Sequence, residues 1–241
     1  VPKRKKFAVF DIDGTLIRWQ LYHAVANALS KDGYFPDDTD QAIKVARMAW
    51  KKRDSSTAFK EYERLLVGAY DELRKTLKVE VFLKAVDKVF EEYKDQAYTY
   101  TRELIKQLKA EGYFLLAVSG SQMEIVKKIA DYYKFDDYTG TTHGQKDGYF
   151  TGIDNIVALD KFKALTGLVE KHGLGWQESL ALGDSFGDVP MLESVSKPIV
   201  INPELELYQK AVASGWKIVI ERKNVVYELT ETNGRYVLRT S

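Results

Sequence analysis

Asp11 and Asp13 stand two residues apart, directly after the apolar run Phe7-Ala8-Val9-Phe10. Residues i and i+2 at the exit of a strand point to the same side, so both carboxyls can face one pocket. A second apolar run, Tyr113 to Val118, ends at Ser119-Gly120-Ser121, and a third, Ser179 to Leu182, ends at Gly183-Asp184. Asp184 and Asp188 lie four apart across a strand-to-helix turn and can converge on one cation. Four carboxylates in one cleft repel by ~4 kcal/mol per close pair at an effective dielectric of ~20. They need a divalent metal, and an all-oxygen donor set suits Mg²⁺.

The elements that must position these residues follow from the apolar pattern. The runs at 7–10, 113–118 and 179–182 are continuous rather than alternating, the habit of strands buried on both faces of a parallel sheet. Pro198 to Ile201 and Lys217 to Ile220 add two further candidate strands. Helical patterns intervene at 101–110, 122–132, 161–171 and 204–213, which predicts βαβ units and an α/β doubly wound sheet. Functional residues of such sheets gather at the carboxyl ends of the strands, where these acids and Ser119 stand. Between the first two strands the rhythm breaks into four helical segments, near 20–31, 38–52, 56–77 and 80–95. Ala42, Val45, Ala46, Ala49 and Trp50 recur at three and four, as an amphipathic helix requires. The division expected is a core of residues 1–17 and 98–241 with an inserted helical cap at 18–97. Hairpin turns are expected at Lys146-Asp147-Gly148-Tyr149 and at Thr232-Asn233-Gly234-Arg235.

Asp11-Ile12-Asp13-Gly14-Thr15-Leu16, Val118-Ser119-Gly120-Ser121, Lys161 and Gly183-Asp184-Ser185-Phe186-Gly187-Asp188 resemble, in order, the four motifs of the haloacid dehalogenase-like hydrolases. The resemblance spans nearly the whole chain. The stretch 146–152 and the helical insertion are similar to the phosphoserine-phosphatase-like branch, and 202–216 to the C-terminal pattern of a broad subgroup of it. The resemblance implies a phosphomonoester hydrolase in which Asp11 attacks phosphorus and forms an aspartyl-phosphate. Asp13 would protonate the leaving alcohol and then take a proton from water, which favours phosphatase over dehalogenase chemistry. Ser119, with nearby backbone N–H groups such as that of Gly120, would hold phosphoryl oxygens, assisted by Thr15. Lys161 would offset the repulsion between two anions; Lys163 is its alternative, and the spacing from Lys161 to Asp184 resembles the branch more closely. Mg²⁺ would be held by Asp11, Asp184 and the Asp13 carbonyl, with Asp188 as ligand or support. Phosphoserine phosphatases carry an acidic residue nine positions after the nucleophile, paired with the substrate ammonium; here that position is Gln20. Phosphoserine is therefore not expected to be preferred over another small phosphorylated metabolite, such as a polyol, amino-alcohol or sugar phosphate.

Plainer readings compete. An isolated Asp-x-Asp is more often a turn or cap, and Ser119 alone would be a helix N-cap, a role compatible with anion binding. The aromatics Trp19, Tyr22, Trp50, Tyr62 and Tyr70 could box a cation but suit a helical core better. Composition removes whole classes of function. In 241 residues there is no cysteine, so disulfides, thiolate chemistry and cysteine metal sites are excluded. Lys and Arg total 36 against 35 Asp and Glu, which argues against a nucleic-acid partner, and the Lys3 to Lys6 run reads as a solvated tail. No apolar run approaches the ~18–20 residues that span a bilayer, and the stretch before Asp11 is too short for a secretory signal. A cytoplasmic protein without a membrane partner, monomer or homodimer, is expected. The rival functions are a phosphotransferase or mutase on the same fold, and a catalytically idle binding protein.

Overall fold

The structure, a computed structural model, describes residues 5–55 and 57–238; Lys3 and Arg4 of the basic run lie outside them. Its strands are β1 (Lys6–Phe10), β2 (Phe114–Gln122), β3 (Asp137–Lys146), β4 (Tyr149–Asn155), β5 (Gly175–Gly183), β6 (Lys197–Ile201), β7 (Lys217–Arg222), β8 (Val225–Thr232) and β9 (Arg235–Leu238). Its helices are α1 (Leu21–Lys31), α2 (Asp37–Lys52), α3 (Ala58–Arg74), α4 (Val79–Tyr93), α5 (Thr99–Ala110), α6 (Met123–Tyr133), α7 (Lys161–Lys171), α8 (Val189–Glu193) and α9 (Leu205–Ser214). Two compact units share the described chain: residues 5–19, 93–141 and 156–238 form the first, and 20–92 with 142–155 the second.

The first unit is an α/β layer structure. Its sheet runs β3-β2-β1-β5-β6-β7-β8-β9, parallel from β3 to β7 and antiparallel from there outward. The three apolar runs form the centre, with Phe7 to Phe10 and Leu115 to Val118 fully buried. At ~1.5–3 kcal/mol per buried large side chain, this run-on burial outweighs any local preference for another conformation. Phe7, Val9, Leu116, Val118, Ala181, Val200 and Ile218 pack with Leu165 of α7 and Leu207 of α9 into one core. Because β1, β2 and β5 are adjacent, the carboxyl ends that carry Asp11, Ser119 and Asp184 come together at one end of the sheet.

The second unit is a helical core closed by a hairpin. Leu21, Val25, Leu29, Tyr62, Leu66, Tyr70, Phe82 and Val86 are fully buried, and Trp50 stacks on Tyr62 at 5.5 Å and 10°. These aromatics pack as helical core. Residues 142–155, assigned to the α/β core by the sequence reading, fold with the helices instead. The guanidinium of Arg74 on α3 grips both Asp154 carboxylate oxygens at 2.8 Å and lies 2.8 Å from Nδ1 of His143. Phe150 packs edge-on against Phe82, and the Val79 N–H donates to the Gly148 carbonyl at 2.9 Å. The hairpin turn itself lies where the sequence puts it. Asp147 and Gly148 both take positive φ, 52° and 81°, as do Asn233 and Gly234 at 53° and 77°, the backbone that a two-residue hairpin turn demands. Among the described residues no helix is long and apolar enough to cross a membrane.

Candidate active site

The site lies within the first unit and is built by three loops. After β1 the Asp11 N–H donates to the Leu182 carbonyl at 3.0 Å, and the chain then turns tightly. The Leu16 and Ile17 amides return to the Ile12 carbonyl at 3.0 and 2.9 Å, while the Tyr98 N–H donates to the Leu16 carbonyl at 2.9 Å. Gly14 is required at this turn. Its φ is 80°, and a Cβ there would lie 2.1 Å from a carboxylate oxygen of Asp184. The loop that carries the third pair of acids is equally tight, since a Cβ on Gly183 would meet Asp188 at 2.7 Å. Asp188 Oδ2 gathers this loop, accepting from the Asp184 N–H at 3.1 Å, the Ser185 N–H at 3.0 Å and the Ser185 hydroxyl at 3.0 Å.

Lys161 opens α7, and its Nζ reaches Asp11 Oδ1 at 2.7 Å and Asp188 Oδ1 at 2.6 Å. The Lys163 amide donates to the Asp160 carboxylate that caps the same helix, at 2.9 Å. The segment before Lys161 is pinned from β2 and β3: the Thr141 hydroxyl donates to the Gly120 carbonyl at 2.8 Å and accepts from the Val157 N–H at 3.2 Å. A side chain on Gly120 would press its Cβ to 3.0 Å from that of Ala158.

One carboxylate oxygen from each of Asp11, Asp184 and Asp188 lies within 4.8 Å of the others. Burial pushes the Asp11 carboxyl up to about 7; the Lys161 ammonium pulls it back, and the charges of Asp188 and Asp13 add to the rise. Burial likewise drives Asp184 well above the usual carboxylate range, reinforced by Asp11 and Asp188. Burial alone would lower the Lys161 ammonium, but Asp11 and Asp188 together hold it above its ordinary value. One ammonium thus leaves the three carboxyls short of positive charge. This is the electrostatic deficit that a divalent cation on oxygen donors removes, so the residues fit Mg²⁺.

Asp13 faces β2. Ser119 donates its hydroxyl to Asp13 Oδ2 at 2.6 Å, and Ser121 donates to Oδ1 at 2.9 Å. The Ser121 N–H in turn donates to the Ser119 hydroxyl oxygen at 2.9 Å. Thr15, expected beside a phosphoryl group, gives its hydroxyl to Asp184 Oδ1 at 3.0 Å, and its carbonyl accepts from Thr101 at 2.7 Å. Gln20 belongs to the second unit, where it precedes α1 and accepts from the Ala24 N–H at 3.0 Å. The sequence reading assigned no role to Ser121 or Thr101. The hydroxyl two residues after Ser119, on the same side of a strand exit, was the available signal for the first; Thr101 had none.

Residues 8–193 match the haloacid dehalogenase-like hydrolase family. Two relatives align almost end to end, each 24% identical. The phosphoserine phosphatase of Methanocaldococcus jannaschii covers 93% of this chain and 96% of its own, and the histidinol-phosphatase of Neisseria meningitidis covers 89% and 98%. A phosphoserine phosphatase of Mycobacterium tuberculosis is 31% identical over 127 residues, 52% of this chain; the chain spans less than half, 41%, of that relative's length. Among solved structures, a Bordetella pertussis protein of unknown function superposes with a TM-score of 0.72 at 19% identity, covering 91% of this chain and 99% of its own. With its motif residues assembled at one end of a parallel sheet, the chain belongs to the haloacid dehalogenase-like hydrolases.

Proposed function

We propose that the chain hydrolyses a small phosphorylated metabolite through an aspartyl-phosphate on Asp11, with Mg²⁺ as cofactor. The observation that carries this reading is the setting of Asp11, a buried carboxylate 2.7 Å from a buried ammonium and beside two further acids. Phosphate-monoester hydrolysis is among the slowest uncatalysed reactions, and splitting it into two transfers lowers each barrier. An Asp11 oxygen bonds to phosphorus as the P–O bond to the alcohol breaks. Asp13 gives the departing oxygen its proton and then takes one from the water that cleaves the acyl phosphate. Lys161 neutralises charge on the nucleophile and on the transferring group. Ser119 and the Gly120 amide would donate to phosphoryl oxygens, and Thr15 holds Asp184. Asp11, Asp184 and the Asp13 carbonyl would hold the cation, with Asp188 as support, since its oxygens already serve Lys161 and the loop amides. Bound there, Mg²⁺ supplies Lewis-acid stabilisation of phosphoryl charge.

The helical unit is the natural place for substrate selection, because the core commits its polar side chains to phosphate chemistry. Gln20 supplies no countercharge for an ammonium, and charge-assisted bonds are roughly twice as strong as neutral ones. A substrate other than phosphoserine follows. The two near-full-length relatives are equally identical and are named for different substrates, one of them an amino-alcohol phosphate. The test is phosphate release from a panel of phosphorylated metabolites with Mg²⁺ and no acceptor, alongside Asp11→Asn. Release by the intact chain and less than a few per cent of it by the variant is the expected result. An Asn variant that keeps turnover removes Asp11 as nucleophile, and release only with a second substrate makes the chain a phosphotransferase.

A further inference from the structure

Asp13 sits between two hydroxyls, one on each carboxylate oxygen, and all three residues are at least nine-tenths buried. The contacts differ in what they leave free. The oxygen of Ser119 accepts the Ser121 N–H, so its single proton is directed at Asp13 Oδ2. Ser121 holds the other oxygen, Oδ1, from the strand end that carries Ser119. Resting on the phosphatase reading above, we infer that Ser121 is the positioning residue of the general acid. Ser119 must turn its hydroxyl to a phosphoryl oxygen when substrate binds, and this releases Oδ2. Ser121 stays on Oδ1, so that Oδ2 carries the proton toward the departing oxygen. The proton moves from Asp13 to the oxygen whose bond to phosphorus breaks, while the Asp11 oxygen forms the new bond to phosphorus. A carboxyl that has lost this hydrogen bond is less firmly oriented, and proton transfer depends on hydrogen-bond reach in the transition state.

The role has a signature that general destabilisation lacks. A leaving group that is already acidic needs no proton, so only poor leaving groups should suffer when the anchor goes. The experiment measures kcat/KM, which reports transfer to Asp11, for aryl phosphates whose phenols range in pKa from about 7, as in p-nitrophenyl phosphate, to about 10, as in phenyl phosphate. General acid catalysis is worth roughly 10²–10⁴-fold. Ser121→Ala is expected to lose about ten- to a hundredfold on phenyl phosphate and about threefold or less on p-nitrophenyl phosphate, steepening the dependence on leaving-group pKa. Ser121→Thr, which keeps a hydroxyl, should restore a shallow slope. If the Ala variant does not fold, Ser121→Gly, which keeps the N–H on Ser119, carries the same test. Equal losses across the series, with Asp11→Asn inactive, overturn the role of Ser121 and leave the phosphatase reading intact. An intact chain that releases phosphate from neither an aryl phosphate nor the metabolite panel, or an active Asp11→Asn, overturns the phosphatase reading and this inference with it. Where only metabolites turn over, a Ser121→Ala that keeps full kcat/KM on their poor alkoxide leaving groups overturns the role of Ser121.

Discussion

Replacing Lys161 with Met should give a protein that binds Mg²⁺ more tightly and yet turns over far less. The ammonium lies 2.7 and 2.6 Å from carboxylate oxygens of Asp11 and Asp188, with 9% of its side chain exposed. At an effective dielectric of ~20 each contact is worth about 6 kcal/mol of gross attraction. Desolvation offsets most of this, and removal of one partner from a buried ion pair costs about 3–5 kcal/mol net. Met fills the volume of the lysine stem without its charge, so the three neighbouring carboxylates lose the Lys161 ammonium. A cation then meets a more negative site from which a like charge has gone, a coupling of about 1–3 kcal/mol or roughly 5–150-fold in affinity. The phosphoryl group loses a preorganised donor, which typically costs about 10²–10³ in rate. Mg²⁺ affinity is read from the rise in melting temperature with Mg²⁺ concentration, which follows RT ln(1 + [L]/Kd). Kinetics at saturating Mg²⁺ supply the second arm. A variant with unchanged or weaker Mg²⁺ binding would refute the shared-carboxylate argument, and a loss in kcat/KM below tenfold would free Lys161 from the chemistry.

Asp184→Ala should abolish stabilisation by Mg²⁺, whereas Asp188→Ala should keep part of it but unfold about 3 kcal/mol more easily, because Lys161 keeps Asp11 but loses Asp188, and the loop amides lose their acceptor; equal Mg²⁺ responses in thermal melts would contradict this division. In the second unit, hydrogen bonds from Arg74, opposed by burial and aided by His143, hold the Asp154 carboxyl down at about 2. A depressed carboxylate stabilises above its ordinary value of 3.8 and ceases to as pH falls through 2. At 1.36 kcal/mol per pKa unit, wild type should lose about 2 kcal/mol more than Arg74→Met between pH 5 and pH 2, measured by urea unfolding; parallel losses would remove the network from the stability of this unit. Gln20→Glu should raise kcat/KM for phosphoserine, and a wild type that prefers phosphoserine tenfold over the rest of a broad panel would show that Gln20 does not set specificity.

The parts of the fold that could be read in the chain are those where burial is the dominant force. Phe7 to Phe10, Leu115 to Val118 and Leu180 to Leu182 are buried on both faces, so their sequences are apolar without interruption and announce central strands. β3, with its Thr-Gly-Thr-Thr-His-Gly stretch, carries no such run. It is held by backbone pairing to β2 at one end and to β4 at the other, and backbone pairing leaves little mark on side-chain type. The turns at 147–148 and 233–234 were legible because positive φ restricts which residues fit. That the first of these hairpins packs with helices depends on Arg74 meeting Asp154, 80 residues away, and no local pattern encodes that meeting.

The site divides along the same line. Charged groups at strand ends can be read because apolar runs stop at them, and so Asp11, Asp13, Asp184 and Asp188 stand out. Hydroxyls cannot be read in this way, because serine and threonine cap helices, fill turns and bind anions with equal ease. Thr15 illustrates the difficulty: a motif places it near phosphate chemistry, but its hydroxyl goes to Asp184. The same ambiguity makes Ser119 and Ser121 informative as a pair. Each alone would pass for a cap, but two hydroxyls on opposite oxygens of one buried carboxylate fix its plane, since each hydroxyl has a single proton to give. Asp13 must be a donor in one half of the proposed reaction and an acceptor in the other. A holder with one fixed charge would favour one of those states; hydroxyls, which can both donate and accept, can serve both.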